Sequence, residues 1–255
     1  MKIRVLGCHG AELPNHCTCG FLINQSVLLD GGTICTTLTM NEQKKIRYVL
    51  LSHIHADHIK GLPFLSENLI GQKGQKPVVI ISLEKVLTGL HRNLFNNKIW
   101  PDFTKIPTEK KPIFRLKPIR EGETLQVEGF QVKAFRVNHT VPCAGFLVQQ
   151  KNTSLLYSGD TYKTHKIWKA ASTTKNLKAA MIETSFPNSM EGLAKASKHL
   201  TPSLLSQEFS KIGKLHLPLF IYHMKPRYLK TIQKELKNLG LKKLVMLKDG
   251  VVFNI

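Results

Sequence analysis

Short apolar runs separated by turn residues dominate the early part of the chain. Runs of this kind at residues 2–7, 21–24 and 27–30 predict strands. The run at residues 47–52 is apolar almost throughout, which is typical of a strand buried on both faces of a sheet. A helix is predicted at residues 83–94. Further strands are predicted at residues 124–127, 130–137, 144–149 and 154–158.

The second half of the chain alternates strands with helices. Thr201 followed by Pro202 indicates a helix N-cap with proline at the first helical position, and a second helix opens at Pro226. Apolar residues recur at helical spacing in both segments, and Gly213 and Gly240 end them. The predicted strands here are residues 179–183, 217–222, 243–247 and 251–255. This pattern predicts an α/β (α+β) protein in which two sheets pack together with helices outside.

No repeat, low-complexity tract or linker divides the 255 residues, so we interpret residues 1–255 as a single domain. No apolar run is long enough to span a bilayer, and the amino-terminal segment does not have a signal-peptide pattern. We therefore expect a cytoplasmic protein without a membrane partner.

The five cysteines are an odd number, which favours free thiols in a reducing compartment. The segment from His16 to Cys19 contains two cysteines and a histidine. It has no second Cys or His pair at zinc-finger spacing, so the sequence does not favour a zinc finger there.

The formal net charge of +20 is the unusual feature of the composition. Such a field attracts anions, so phosphate-bearing substrates and nucleic acid are both candidate partners. A general lysine enrichment of the source proteome is the alternative explanation. The basic residues are scattered along the chain, with a mild excess at residues 225–248.

The strongest chemical signal is the motif at residues 53–58, directly after the predicted buried strand. It contains three histidines and an aspartate, and in an extended segment residues two apart point the same way. His53 and His55 can therefore share one metal ion, while Asp57 and His58 turn towards a second. Imidazole and carboxylate ligands suit zinc, iron or manganese.

Further metal ligands are available at the ends of later predicted strands. His139, Asp160 and His223 each follow an apolar run, which is where sheet proteins display functional groups. The carboxylate of Asp160 could bridge two ions. Together with the motif at residues 53–58, these residues predict a two-metal centre.

In order and context, these residues resemble the metal ligands of the metallo-β-lactamase-fold superfamily. The resemblance implies an αββα sandwich of two mixed sheets that holds two divalent metal ions, with zinc first and iron or manganese compatible. It implies one ion bound by His53, His55 and His139. It implies a second ion bound by Asp57, His58 and His223, with Asp160 bridging the two.

A finer resemblance covers nearly the whole chain and points to the class II 3′,5′-cyclic-nucleotide phosphodiesterases of this superfamily. It implies hydrolysis of cyclic AMP or cyclic GMP, the small-molecule partner, to a 5′-nucleotide. Ala56 stands where that class has leucine, and the residues after Gly61 differ from its signature. The stretches that carry the resemblance are residues 94–103, 138–142, 183–188, 198–202 and 223–226.

Glu183 and His199 resemble the Glu–His dyad of the tRNA 3′-processing endonucleases in the same superfamily. The resemblance implies that His199 is a general acid oriented by Glu183, and we place Asp57 with them as a catalytic residue. His9, His16, His91, His165 and His216 are treated as structural or surface groups.

Two other functions stay open on the sequence alone. A tRNA 3′-processing endoribonuclease would use the same metals and dyad, and the positive charge would suit RNA. We find no inserted basic, Gly/Pro-rich arm that could clamp a tRNA. A metal-bearing protein that binds a nucleotide and signals without turnover is the other alternative. Trp100 and Phe103 are candidates to stack on a base, or else to pack in the core or at a homodimer interface.

Overall fold

Two seven-stranded sheets form the centre of the molecule, and the computed structural model describes all 255 residues. The first sheet contains β1 (Lys2–Gly7), β2 (Gly20–Ile23), β3 (Val27–Leu29), β4 (Tyr48–Leu50), β5 (Val78–Ser82), β8 (Phe114–Pro118) and β16 (Val252–Asn254). A separate two-stranded ribbon is formed by β6 (Pro107–Thr108) and β7 (Lys111–Pro112). The spatial order of the first sheet is β16-β1-β2-β3-β4-β5-β8.

In the second sheet, strands that follow one another in the chain are also neighbours in space. From one edge to the other it contains β15 (Leu244–Met246), β14 (Leu219–Tyr222), β13 (Leu177–Glu183), β12 (Thr153–Tyr157), β11 (Ala144–Gln150), β10 (Phe130–Arg136) and β9 (Thr124–Val127). Strands β12 to β15 are parallel, whereas β9 to β12 are antiparallel to their neighbours. In the first sheet the pairs from β16 to β3 are antiparallel and those from β3 to β8 are parallel, so both sheets are mixed.

Helices cover the outer faces of the two sheets. They are α1 (Met40–Gln43), α2 (Ala56–Ile59), α3 (Gly61–Leu69), α4 (Glu84–Asn93), α5 (Lys166–Thr173), α6 (Glu191–Ser197), α7 (Pro202–Ser210) and α8 (Leu229–Asn238). No helix has both the length and the apolar character needed to cross a membrane.

Three apolar clusters account for the layering. The central cluster lies between the sheets and contains Phe21 from the first sheet and Phe146 and Tyr157 from the second. One outer cluster packs α3 and α4 on the first sheet, and the other packs α5, α7 and α8 on the second. The predicted α/β sandwich of two packed mixed sheets with external helices is thus confirmed.

Most predicted strands are present with small shifts at their ends. The predicted strand at residues 47–52 is shorter, Tyr48–Leu50, because the chain turns into the histidine motif. The pattern of apolar residues did not predict α3 or α5. Helix α3 has Gly61 and Pro63 in its first turn. Phe103 is buried in the outer cluster of the first sheet, so core packing explains it and stacking on a base does not.

Strand direction brings the ends of distant strands to one edge of the second sheet. Because β12, β13 and β14 are parallel, their carboxyl ends lie side by side. Strand β10 is antiparallel to β11, which is antiparallel to β12, so β10 ends at the same edge. Ligands commonly bind outside the carboxyl ends of such strands. The segments that follow these strands contain His139, Asp160 and His223.

The first and last strands of the chain are neighbours. Strand β1 pairs antiparallel with β16, with Lys2 opposite Asn254 and Arg4 opposite Val252. The amino group of Met1 donates to the carbonyl oxygen of Ile255 at 2.7 Å. The edge of the first sheet is therefore built from residues at the two ends of the sequence.

A buried carboxylate joins α5 and α7 and gives a test of the packing. Glu208 accepts from Trp168 Nε1 at 2.7 Å, from the backbone N–H of Thr164 at 2.9 Å and from Lys211. We expect Glu208→Ala to lower the free energy of unfolding by ~1–3 kcal/mol, because it leaves the buried Nε1–H of Trp168 and the backbone N–H of Thr164 without their acceptor. Urea denaturation measures this. Gln207→Ala, at the exposed neighbouring position, should change stability by less than ~0.5 kcal/mol.

Candidate metal centre

The loop after β4 is held by a carboxylate that sequence reasoning missed. Asp30 is fully buried directly after β3, in a left-handed backbone conformation with φ of 56°. Its Oδ1 accepts from the backbone N–H of Ser52 at 2.6 Å. Its Oδ2 accepts from the Ser52 hydroxyl at 2.7 Å and the Tyr157 hydroxyl at 2.6 Å. The only sequence signal for it is an ionisable residue closing an apolar strand.

The same carboxylate orients His58. Nδ1 of His58 lies 2.8 Å from Asp30 Oδ2, so the proton of the neutral ring is held on Nδ1. The other ring nitrogen, Nε2, is then free to act as a metal ligand. A carboxylate behind a ligating histidine usually raises the basicity of the ring as well as fixing its orientation.

Three imidazoles converge at the first predicted ion position. His53 Nε2 lies 3.0 Å from His55 Nδ1, and His139 Nε2 lies 3.1 Å from the same atom. Nδ1 of His139 faces the carbonyl oxygen of Lys198 at 3.2 Å, which leaves its Nε2 unprotonated in the neutral ring. The spacing of these nitrogens is close to that of two ligand atoms on one tetrahedral zinc ion, ~3.3 Å.

The second group of predicted ligands surrounds the carboxylate of Asp160. Oδ2 of Asp160 lies 3.0 Å from His223 Nε2, 3.3 Å from His58 Nε2 and 3.7 Å from His53 Nε2. His223 Nε2 is also 3.1 Å from Asp57 Oδ2. Asp160 therefore lies between the two groups, in the position expected of a bridging ligand.

His223 is held in a strained and crowded conformation. Its φ is 68°, a region that residues other than glycine rarely adopt. Its backbone N–H donates to the carbonyl oxygen of Cys8 at 2.6 Å, and Ser185 Oγ lies 2.7 Å from its Nδ1. A Cβ atom at Gly10 would lie 2.5 Å from the same Nδ1, so only glycine fits there.

The electrostatics of the two groups differ. Burial lowers the pKa of His139 to about 4, and burial followed by the nearby imidazoles lowers the pKa of His53 well below its ordinary value. These rings are neutral at neutral pH, the form that binds a metal. Burial alone would lower the pKa of His58, but the surrounding carboxylates, first that of Asp160, raise it well above its ordinary value. The second group therefore attracts positive charge.

Buried polar atoms in these groups give a test of whether metal ions fit. His58 Nε2 and Asp160 Oδ1 are buried and have no hydrogen-bond partner in the protein. Buried polar atoms are nearly always paired, and a bound cation would satisfy both. Imidazole with carboxylate is a donor set for zinc, iron or manganese. The residues therefore fit two divalent ions.

The Glu183–His199 dyad lies against both groups. His199 Nδ1 is 2.9 Å from Glu183 Oε1, and the ring centre of His199 is 5.0 Å from that of His139 and 5.1 Å from that of His223. Glu183 is fully buried, and its Oε2 accepts from the Ser185 hydroxyl at 2.9 Å. Burial alone would lower the pKa of His199, but the Glu183 carboxylate raises it.

The structure brings all the predicted site residues to one edge of the second sheet. These are His53, His55, Asp57, His58, His139, Asp160, Glu183, His199 and His223. Their roles stay predictions. The supporting residues Asp30, Ser52, Tyr157 and Ser185 were missed, because each is an ordinary polar residue when read alone.

Asp30→Asn tests whether the buried carboxylate supports metal binding. We expect the affinity of the site for zinc to fall by ~10–100-fold, since the variant no longer holds the His58 proton on Nδ1 with a charged acceptor. Competition against a chelator of known affinity measures this. Glu208→Gln is the matched control, because it changes a buried carboxylate outside the site and should leave zinc affinity unchanged. Equal affinities in Asp30→Asn and the native protein would contradict the role.

Comparison with known proteins places the chain in a family. Residues 33–220 match the family model described as the beta-lactamase superfamily domain. The chain is 25% identical over 163 residues to a ribonuclease Z of Metallosphaera sedula, covering 61% of this chain and 51% of the relative. It is 31% identical over 91 residues to 3′,5′-cyclic-nucleotide phosphodiesterase 1 of Saccharomyces cerevisiae, covering 36% and 24%. The chain thus spans about half or less of the length of these curated relatives.

Solved structures show the same fold over the full chain. Unliganded yeast PDE1 superposes with a TM-score of 0.83 at 19% identity, covering 100% of this chain and 99% of that one. The short form of human tRNase Z superposes with a TM-score of 0.74 at 18% identity, covering 100% and 99%. Because the family model matches well over half of the chain, the protein belongs to the beta-lactamase superfamily and has the metallo-β-lactamase fold, and this family implies binding of divalent metal ions.

Proposed function

We propose that this protein hydrolyses 3′,5′-cyclic nucleotides to 5′-nucleotides. The observation that carries the proposal is the position of His199, a histidine held by a buried glutamate beside two groups of side chains that fit divalent ions. Breaking a phosphodiester releases an alkoxide, which needs a proton. A proton donor next to a metal centre suits that reaction.

In this proposal one ion is bound by His53, His55 and His139. The other is bound by Asp57, His58 and His223, with Asp160 shared. Zinc is the first candidate, because the set is rich in imidazole. The chemistry that two such cations supply is activation of water and neutralisation of phosphoryl charge.

The dyad performs the proton transfer. Because Nδ1 of His199 is held at Glu183 Oε1, Nε2 is the ring nitrogen that remains for the substrate. Nε2–H donates its proton to the 3′-oxygen as the bond between phosphorus and that oxygen breaks. The side chain of Asp57 is 25% exposed, whereas that of Asp160 is 1% exposed. Asp57 is therefore the carboxylate of the centre that would border the approaching substrate.

A basic groove beside the centre suits an anionic substrate. It has a volume of about 460 Å³ and reaches His139 at one wall. Arg136, Lys166 and Lys198 line it together with one carboxylate, that of Glu121, which pairs with Lys166 at 2.8 Å, so its net charge is positive. The basic side chains would attract a phosphate group, which agrees with the net charge of +20.

Two observations favour a cyclic nucleotide over RNA. The stretches that resemble class II phosphodiesterases include residues 94–103, 138–142 and 223–226, which lie outside the dyad. The longest segment outside helices and strands is residues 94–106, so there is no long arm to grip a folded RNA.

RNA 3′-end processing is the second candidate. Several sequence relatives are ribonuclease Z proteins, including one of Agathobacter rectalis that is 32% identical over 135 residues, covering 50% of this chain and 40% of the relative. The positive charge and the dyad suit this substrate as well.

Assaying cyclic AMP and a precursor tRNA side by side, with one metal-loaded preparation, separates the two functions. We expect turnover of cyclic AMP and little cleavage of the RNA. Raising the salt concentration should lower kcat/KM for cyclic AMP more than kcat, because salt screens long-range attraction of the anion within ~10 Å at 0.1 M. Cleavage of the RNA without turnover of cyclic AMP would favour the nuclease.

His199→Ala tests the proton donor. We expect cyclic AMP hydrolysis to slow by ~10²-fold or more, since its leaving group is an alkoxide of high pKa. Hydrolysis of a p-nitrophenyl phosphodiester should slow much less, because a nitrophenolate leaves without protonation. Glu183→Gln should show the same pattern more weakly. Equal losses on both substrates would give His199 a supporting role instead.

His216→Ala is the control for the rates of hydrolysis of cyclic AMP and of the p-nitrophenyl phosphodiester. His216 is exposed and lies outside the site, so neither substrate should be affected. Metal content is measured in each variant, so that a loss of ions is not mistaken for a loss of the proton donor.

A further inference from the structure

A separate cluster of side chains that could bind a metal ion lies where the end of β1 meets the turn before β16. Cys8 Sγ donates to Asp249 Oδ1 at 3.2 Å, and His9 Nε2 lies 3.8 Å from the same oxygen. The three ligand atoms of Cys8, His9 and Asp249 all lie within 4.8 Å of one another. Cys8 and His9 are buried, and Asp249 is half-buried. None of these residues belongs to the predicted two-metal centre.

The orientation of His9 leaves one ring nitrogen available to a metal ion. Its Nδ1 faces the carbonyl oxygen of Met224 at 3.3 Å, and a carbonyl only accepts, so the proton of the neutral ring is on Nδ1. Nε2 of His9, left with a lone pair, then lies 3.8 Å from Asp249 Oδ1, which accepts from the backbone N–H of Cys8 at 3.0 Å and from the Cys8 thiol at 3.2 Å. A zinc ion that replaced the thiol proton could bind the Cys8 sulfur, this oxygen and Nε2 together, since 3.8 Å is near the ~3.3–3.5 Å between ligand atoms on a tetrahedral zinc.

A second cysteine contacts the same carboxylate through its backbone. The backbone N–H of Cys17 donates to Asp249 Oδ2 at 2.7 Å, which places Cys17 at the rim of the group. The preceding residue, His16, packs its ring edge-on against His9 with 4.7 Å between the ring centres. The loop after β1 therefore folds back onto Cys8, His9 and Asp249.

We propose that Cys8, His9, Cys17 and Asp249 bind a structural zinc ion, separate from the two-metal centre. Two thiolates, an imidazole and a carboxylate form a closed tetrahedral donor set that suits zinc. On binding, each thiol releases its proton to solvent and its sulfur coordinates the ion. The zinc-finger spacing rule could not reveal this site, because Cys8 and Asp249 are 241 positions apart in the chain.

The ion would fix the backbone that carries His223. The carbonyl oxygen of Cys8 accepts from the His223 N–H at 2.6 Å, and His9 Nδ1 donates to the carbonyl oxygen of Met224. The structural site would therefore hold the loop after β1 against the segment after β14. The proposal does not depend on which substrate the protein hydrolyses.

Cobalt substitution tests the site without an activity assay. Cobalt bound to a thiolate gives a charge-transfer band in the near ultraviolet, and no predicted ligand of the two-metal centre contains sulfur. We expect this band in the cobalt-loaded full chain, and we expect Cys8→Ser and Asp249→Asn to abolish it. Cys17→Ser should weaken it. Cys35→Ser is the matched control, because Cys35 lies outside the group, and it should keep the band.

Zinc content gives a second readout. Cys8→Ser and Asp249→Asn should each retain one zinc ion fewer per chain than the native protein, and Cys35→Ser should retain the same number. Asp160→Ala, which removes the bridging ligand of the two-metal centre, should still show the cobalt–thiolate band. This variant separates failure of the structural site from failure of the proposed function.

Cys19 provides the decisive alternative. Its sulfur lies within 4.8 Å of the ligand atoms of His58 and His223, so it could donate to the two-metal centre instead. If Cys19→Ser removes the band while Cys8→Ser keeps it, the proposal is wrong. A native protein that shows no thiolate band overturns it without any variant, so a Cys8→Ser chain that fails to fold does not leave the question open.

Discussion

The buried carboxylate of Asp30 is the interaction on which the rest of the site depends. It accepts hydrogen bonds from Ser52 after β4 of the first sheet and from Tyr157 on β12 of the second sheet. It also holds the Nδ1 proton of His58. A single side chain thus ties the two sheets together at the edge where the ligands meet. A buried carboxylate is costly unless its oxygens are paired, so the surrounding donors and the carboxylate stabilise one another.

Several acidic residues of this chain are buried inside it. Of its 17 acidic residues, Asp30, Asp160, Glu183 and Glu208 are all at most 1% exposed. Removing these negative charges from the surface leaves an exterior more basic than the composition alone suggests. Negative charge therefore lies inside, where cations would bind, and positive charge lies on the surface, where an anion would approach.

The sequence predicted the parts of the structure that depend on local pattern. The strands are visible because apolar runs end at turn residues, and the histidine motif is visible because its members are adjacent. Asp30, Ser185 and the carbonyl of Lys198 could not be predicted, because their importance arises from contacts across 22 to 127 positions in the chain. The helix α3 was hidden by glycine and proline in its first turn. Phe103 was a candidate for base stacking until its burial in the outer cluster was known.

The pairing of β1 with β16 has a consequence for folding. Strands β2 to β5 can associate with their sequence neighbours early, whereas β16 must return from the far end of the chain. Closing so long a loop is slow compared with forming local pairs. Until β16 docks, β1 is an unprotected edge with the largely apolar sequence Lys2–Gly7, and such an edge pairs readily with other chains. The short carboxyl-terminal strand therefore acts as a cover that limits self-association during folding.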